Sequence, residues 1–258
     1  MCIDASAVQP PSPERLFGIF KETAHMLLGF LKSVLRGNSP ARTRATPTDN
    51  STAFARQSDM ESARMVLNVG GNNKKIPLPP QYHGWHHVLL DIDEGGNPDI
   101  VCDARSLTQL SPLQFDAIYC SHNLEHYYRH DVARVLAGFN HVLKEDGFIH
   151  IRVPDIGELM RVVSDKGLDI DDLLYISPAG PVHVGDVIYG FAPEIERSGN
   201  DFFAHKTGFT QKSLHSHLQA AGLKYIHMWS ENLEINAIAL KSKPSEHVSK
   251  LFNIDFAE

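Results

Sequence analysis

Short apolar runs that end in glycine, serine or an acidic residue recur between Met65 and Leu240, and they alternate with segments of helical period. Runs of this length and composition predict buried strands. The predicted strands span residues 65–69, 88–93, 100–103, 115–120, 148–153, 224–228 and 234–240. Strands that alternate with helices indicate an α/β fold, doubly wound, with a mostly parallel sheet. A short link joins the last two strands, so we expect a seven-stranded sheet that ends in an antiparallel hairpin.

Three helices are predicted between these strands from capping residues and apolar spacing. The first is capped by Asp131 and closes before Gly147, the second begins at Asp155, and the third spans residues 210–222. The apolar face of the first helix consists of Val132, Leu136, Phe139 and Leu143. Residues 164–209 lack a clear period, and we expect an irregular insertion there that covers the substrate.

Residues 1–37 predict a separate amphipathic helix, because Ser12-Pro13-Glu14 is typical of a helix start and apolar residues recur at helical spacing after it. Residues 38–59 have the composition of a flexible linker, so the globular domain is expected at residues 60–258. The simplest interpretation of the helix is packing on its own domain or on a second subunit. Membrane-surface attachment and contact with another protein, both through residues 13–36, are the alternatives.

Composition disfavours several classes of partner and site. A net charge of −7 argues against nucleic acid, because phosphate contacts need a basic surface. The three cysteines have no metal or redox spacing, and the fifteen histidines are scattered, so no metal site is expected. Charges interrupt the first apolar stretch, which excludes a secretory signal or a membrane span there. We therefore expect a cytoplasmic protein, with the membrane surface as an alternative contact.

A glycine turn follows the first predicted strand and is the main indication of a ligand. Gly70-Gly71 lets the main chain approach a ligand without a Cβ in the way. A dinucleotide pyrophosphate requires a third glycine and a helix N-terminus, but here the third glycine is missing and prolines follow from Pro77 onwards. A nucleoside without phosphates fits this turn better. Asp91, at the end of the second strand, is the acid expected to anchor such a nucleoside.

The order and spacing of these motifs resemble class I S-adenosylmethionine-dependent methyltransferases, which have a Rossmann-like fold. The likeness covers residues 65–240 and is carried by residues 67–71, 90–93, 101–104, 115–118, 121–126 and 205–210. The H-x-L-E-H segment His122-Asn123-Leu124-Glu125-His126 is similar to one in a bacterial subgroup of predicted small-molecule methyltransferases. One departure is that the family's G-x-G loop is replaced by Gly70-Gly71-Asn72.

The resemblance implies a set of residues that bind S-adenosylmethionine. Gly70 and Gly71 would contact the methionine part and ribose, Asp91 would accept both ribose hydroxyls, and Asp103 would accept from the adenine amine. The implied set is Asn68, Gly70, Gly71, Asp91, Ile92, Asp103, Ala104 and Ser121. Asp91 has a competing interpretation as a solvated loop acid.

The predicted catalytic base is His122, because an imidazole titrates near working pH and this one follows the fourth strand at the crevice. A local hydrogen bond from a loop histidine is the competing interpretation. Residues expected to bind substrate are Glu125, His126, Arg152, His183 and His205. Arg152 could equally pair with an acid such as Asp155.

These features predict methyl transfer from S-adenosylmethionine to a hydroxyl or carboxyl group of a small molecule or sugar, by in-line displacement. The alternative is a catalytically weak methyltransferase-like protein that acts as a scaffold or partner-binding module through its N-terminal helix. Nucleotide-dependent oxidoreductase chemistry is disfavoured by the missing third glycine.

Overall fold

The computed structural model describes residues 64–177 and 180–256, so the predicted N-terminal helix (1–37) and linker (38–59) lie outside the described residues. The strands, in chain order, are β1 Met65–Val69, β2 His86–Asp91, β3 Ile100–Val101, β4 Phe115–Ser121, β5 Leu143–Pro154, β6 Leu173–Ser177, β7 Gly180–His183, β8 Tyr225–Glu231 and β9 Glu234–Leu240. The α-helices are α1 Arg129–Val142, α2 Ile156–Lys166, α3 Val184–Tyr189, α4 Ala192–Ser198, α5 Gln211–Ala220 and α6 Glu246–Phe252. None of these helices is both long and apolar enough to cross a membrane.

The main sheet has seven strands in the order β3-β2-β1-β4-β5-β9-β8. The first five are parallel to one another, whereas β9 pairs antiparallel with both β5 and β8. Asn232 and Leu233 join β8 to β9, and both take positive φ (54° and 64°), as a tight hairpin turn requires. The predicted fold, a mostly parallel seven-stranded sheet with a C-terminal antiparallel hairpin, is confirmed.

The sheet is buried on both faces, which explains the nearly continuous apolar runs of its strands. On one face α1 and α5 cover Leu67, Ile118 and Ile149. On the other face α6 and an aromatic group cover Val66, Ala117 and Phe148. The aromatic group consists of Tyr82, Trp85, Tyr119 and Phe252. Adjacent residues of one strand therefore belong to two different cores.

Two predictions about the first helix were wrong. The helix begins at Arg129 after Tyr128, and Asp131 lies within its first turn rather than capping it. The Asp131 carboxylate is buried and accepts from Arg105 at 3.2 Å, so an ion pair holds it instead of a cap. Leu143 belongs to β5, where it pairs with Phe115, because a bulge lets the strand begin before Gly147.

The insertion at residues 164–209 was predicted to be irregular, but most of it has regular structure. It contains the β6–β7 hairpin, which forms a small separate sheet, followed by α3 and α4. These elements are short, so they show no sustained period in the sequence. Leu159 of α2 packs against Val182 and Val187 and joins the insertion to the domain. Helix α6 was also not predicted.

His150 in β5 provides a pH-dependent contribution to stability. Its ring is buried among Tyr82, Tyr119 and Phe252, and its Nδ1 lies 3.2 Å from the Tyr82 hydroxyl. Burial, together with the charge of Arg152, lowers the pKa of His150 from 6.5 to about 3. The unfolded chain therefore binds an additional proton between these values. Stability is fully present above pH 6.5 and is lost as the pH falls towards 3.

We expect His150→Phe to reduce this acid sensitivity, because the titrating group is removed while an aromatic ring remains. The wild type should lose about 1.4 kcal/mol per pH unit from this group below pH 6.5, measured by urea unfolding between pH 7 and 4.5. The exposed His83, changed to Phe, is the control and should keep the wild-type slope. Equal slopes for His150→Phe and the wild type would show that His150 does not titrate in this way.

Candidate functional site

A cavity of about 400 Å³ opens at the carboxyl ends of β1, β2 and β4. From β1 the strand order runs to β2 and β3 on one side and to β4 and β5 on the other. The reversal leaves a crevice at the ends of β1 and β4, where ligands bind in folds of this kind. The cavity is lined on the β1–β3 side by Asn68, Gly70, Gly71, Asp91, Ile92 and Asp103. On the β4 side it is lined by Ser121, His122, His126 and His205. Most of the residues predicted for cofactor and substrate therefore meet in one place.

The glycine turn after β1 is shaped by two residues with positive φ. Gly70 has φ 71°, and its N–H donates to the Leu90 carbonyl at 2.8 Å. A Cβ on Gly70 would lie 2.0 Å from the Asn123 side chain, so only glycine fits. Asn72 has φ 57°, a conformation that asparagine tolerates better than most residues. Asn72 thus takes the turn at the position where the resembled G-x-G loop has its second glycine.

Asp91, at the end of β2, is held by the backbone and faces the cavity. One carboxylate oxygen accepts from the Asn72 N–H at 2.9 Å, and the other accepts from the Asp93 N–H at 3.0 Å. Each oxygen keeps a further lone pair for another donor. Burial raises the pKa of Asp91 above its ordinary value, in opposition to these two N–H groups. The carboxylate is therefore positioned to accept two ligand hydroxyls.

Of the two residues that the resemblance places beside the adenine, Asp103 lines the cavity and Ala104 does not. Asp103 caps the turn after β3 and pairs with Arg105, which also contacts Asp131. Burial acts to raise the pKa of Asp103, but Arg105 holds it below its ordinary value. Ala104 does not line the cavity, since it is 1% exposed and belongs to the main core. Ile92 lines the cavity beside Asp103 and is 43% exposed.

At the other end of the cavity a buried glutamate joins two partly buried cationic side chains in a charge network. Glu234, at the start of β9, accepts from His122 Nε2 at 2.8 Å and pairs with the Arg152 guanidinium. Burial acts to raise the pKa of Glu234, but the charges of His122 and Arg152 lower it to about 2. Burial acts to lower the pKa of His122, but Glu234 and Glu125 raise it to about 10.

A histidine protonated at neutral pH cannot accept a proton, so this arrangement does not support His122 as the catalytic base. His122 also has φ 48°, and its N–H donates to the Arg152 carbonyl at 2.9 Å. Positive φ in a residue other than glycine is costly and is found preferentially at functional sites. The imidazolium and its backbone are therefore held rigidly at the edge of the cavity.

Four predicted residues do not line the cavity. Besides Ala104, these are Arg152, which pairs with Glu234 rather than with Asp155, and Glu125, which is 1% exposed behind His122. The fourth, His183, bonds to Asp186 at 3.3 Å at the start of α3. Arg152 and His183 thus have protein partners in place of the predicted substrate.

The sequence analysis missed several residues of the site, and Glu234 is the most important of them. Glu234 is an acidic residue at the start of an otherwise apolar strand. A buried strand seldom begins with an unpaired acid, so the sequence indicated that Glu234 has a charged partner. Asn123, which packs on Gly70, lies within the H-x-L-E-H segment but is not among the predicted binding residues. The insertion at residues 164–209 also lines the cavity, with Tyr175, Val187, Phe191 and Phe203 among its contributions.

Residues 84–151 match the family model described as a methyltransferase domain, from just before β2 into β5. The predicted enzyme class, a methyltransferase, is confirmed by this match. The matched segment contains Asp91, Asp103 and His122. No functionally curated protein matches the chain.

Solved methyltransferase structures also resemble the chain at low identity. A SAM-dependent methyltransferase from Archaeoglobus fulgidus is 14% identical, with a TM-score of 0.44, over 73% of this chain and 91% of that one. The 1,6-didemethyltoxoflavin-N1-methyltransferase of Burkholderia thailandensis, solved with 1,6-didemethyltoxoflavin and S-adenosylhomocysteine, is 14% identical, with a TM-score of 0.41, over 94% and 99% of the two chains. These values are too low to transfer a substrate from either protein.

The charge network of Glu234, His122 and Arg152 predicts a large effect on stability. Glu234→Gln leaves Arg152 and His122 without their shared carboxylate, and such a loss in a buried network costs about 3–5 kcal/mol. We expect urea unfolding at pH 7 to show a decrease of this size. Glu196→Gln, on the exposed side of α4, is the control and should change stability by less than about 0.5 kcal/mol. Similar small effects for both variants would contradict the assigned network.

Proposed function

We propose that the chain is a class I methyltransferase that binds S-adenosylmethionine in the cleft and methylates an oxygen of a small-molecule acceptor. The observation that carries the proposal is the Asp91 carboxylate, which faces the cavity at the end of β2 with one free lone pair on each oxygen. A ribose presents two adjacent hydroxyls that match such a carboxylate. The methyltransferase domain match supports the same cofactor.

The residues of the cleft fit this cofactor in charge as well as in hydrogen bonding. Asp91, Asp93, Asp103 and Glu234 all line the cavity, and an acidic cleft favours a cationic sulfonium ligand. Asn123 Oδ1 is buried beside the glycine turn and lacks a hydrogen-bond partner within the described chain, so it can accept from a ligand amine. When bound, S-adenosylmethionine supplies a methyl group that is already activated by its positive sulfur.

The chain's own contribution is to hold the two reactants in line and exclude water. Positioning of this kind is worth about 7–11 kcal/mol in well-oriented reactions. Ser121 and His122 lie at the end of β4 beside the glycine turn, where the acceptor must approach. His122 contributes a positive charge there, beside the acceptor, and is held by Glu234. Side chains of the insertion, among them Tyr175, Val187 and Phe191, line the cavity and keep water away from the reacting groups.

The acceptor class is supported by the side chains that line the cleft and by the H-x-L-E-H resemblance to small-molecule methyltransferases. Apolar side chains of the insertion, including Phe191, Phe202 and Phe203, line the cavity opposite the polar strand ends. A ligand with an apolar body and an oxygen at one end fits a cavity that is apolar on the insertion side and polar at the strand ends. A carboxylate acceptor needs no base, whereas a hydroxyl acceptor must lose a proton within the site.

The alternative of a scaffold without cofactor binding has less support. The described cleft is open, and the protein's own side chains do not fill it. Asn72 also provides the positive φ that the unusual glycine turn requires. The partner-binding role assigned to the N-terminal helix concerns residues outside the described part of the chain.

Calorimetry with S-adenosylmethionine and S-adenosylhomocysteine tests the proposal. We expect one site in the wild type, and Asp91→Asn should weaken binding by roughly 10–100-fold, because a hydrogen bond to a charged group is worth about 1.5–3 kcal/mol. Asp165→Asn, on the exposed surface of α2, is the matched control and should bind as the wild type does.

Folding is checked on the same samples by circular dichroism. A folded wild type that binds neither compound would end the proposal. Equal affinity of Asp91→Asn and Asp165→Asn would remove the assigned role of Asp91 and require the cofactor to lie elsewhere.

A further inference from the structure

The Glu125 carboxylate is buried without the hydrogen bonds that such a group needs. Its side chain is 1% exposed, and neither carboxylate oxygen has a hydrogen-bond partner within the described chain. Its nearest cationic atom is His122 Nδ1, at 3.5 Å, which is too far for a strong hydrogen bond. A buried carboxylate without donors is costly, so a further positive group is expected beside it.

Two histidines near this carboxylate each have one ring nitrogen fixed by a backbone carbonyl. His126 Nδ1 lies 3.0 Å from the Ala204 carbonyl, and His205 Nδ1 lies 2.9 Å from the Val187 carbonyl. A carbonyl only accepts, so Nδ1 of each ring carries a hydrogen, and Nε2 is the ring atom left to serve as a metal ligand. Metal-binding histidines are oriented by this same contact from the other ring nitrogen to a backbone carbonyl.

The side chains of Glu125, His126 and His205 converge, and backbone hydrogen bonds hold their two chain segments together. One ligand atom from each of Glu125, His126 and His205 lies within 4.8 Å of the others, and His205 Nε2 is 3.9 Å from a Glu125 oxygen. The Lys206 and Thr207 N–H groups donate to the Glu125 carbonyl at 2.8 and 3.1 Å, which joins the two chain segments. The carboxylate and the two histidine rings thus lie close together, an arrangement that a cation would stabilise.

We propose that Glu125, His126 and His205 bind a divalent transition-metal cation at the acceptor end of the cleft. Two imidazoles and one carboxylate are ligands that suit Zn²⁺, Mn²⁺ or Fe²⁺ and leave coordination positions open. Ligand atoms around such an ion lie at about 2.0–2.2 Å from it, so small side-chain rotations bring these three into range. The site was not expected from spacing, because His205 is remote in sequence from the Glu125-His126 pair.

The location of the site gives the cation a role that rests on the proposed function. His126 and His205 line the same cavity as His122 and Asp91. An acceptor hydroxyl bound to the cation would lose its proton to water more readily than a free hydroxyl does. The inference therefore narrows the acceptor to molecules with an oxygen that can bind a metal.

The test uses chelator-treated full-length protein titrated with ZnCl₂ and with MnCl₂ by calorimetry, without cofactor. His126→Asn and His205→Asn are the informative variants, because the asparagine amide keeps a donor for the backbone carbonyl but removes the Nε2 ligand. His130→Asn is the matched control, since that side chain is 79% exposed. We expect one metal per wild-type chain, unchanged in His130→Asn and weakened more than about 100-fold in the other two variants.

Thermal unfolding gives a second readout, because a cation that binds only the folded chain should raise the melting temperature of the wild type but not of His205→Asn. A wild type without stoichiometric binding of either cation, or binding that persists in both cleft variants, would overturn the proposal. Failure of one variant to fold leaves the other to decide. Calorimetry with S-adenosylhomocysteine on the same samples separates this result from failure of the proposed function.

Discussion

Parallel pairing of β1 with β2 on one side and β4 on the other is the constraint on which the site depends. All three strands end at the same edge of the sheet, so the residues that follow them are brought together. These residues are Gly70 after β1, Asp91 at the end of β2, and His122 after β4. Because β1 pairs with both β2 and β4 and packs on both faces, a shift of its register would disrupt both pairings and the core packing, so the relative positions of the three are fixed.

Buried charge, rather than apolar packing, holds the acceptor side of the cleft. Glu234 connects β9 to His122 after β4 and to Arg152 in β5, so one carboxylate joins three strands at the cleft edge. The same network keeps His122 protonated. The two ends of the cleft therefore have different roles. The Asp91 end offers hydrogen-bond acceptors to a nucleoside, and the His122 end offers a fixed positive charge to the reacting acceptor.

Apolar runs in the sequence predicted strands β1–β5. The Asp91 end of the site was predicted because Gly70 and Asp91 lie directly at the ends of such runs. The acceptor side depends on contacts distant in sequence. Glu234 meets His122 across 112 residues, and no local pattern at either residue reveals the other. His205 meets Glu125 for the same reason only in the folded chain. The insertion at residues 164–209 consists of elements too short to show a period.

A crystal structure of the chain with S-adenosylhomocysteine tests the central claim most directly. The account predicts that the ribose lies across the ends of β1 and β2, with both hydroxyls within hydrogen-bond distance of the Asp91 carboxylate and the sulfur directed towards His122. Cofactor bound away from this crevice, or a ribose that does not contact Asp91, would contradict the account.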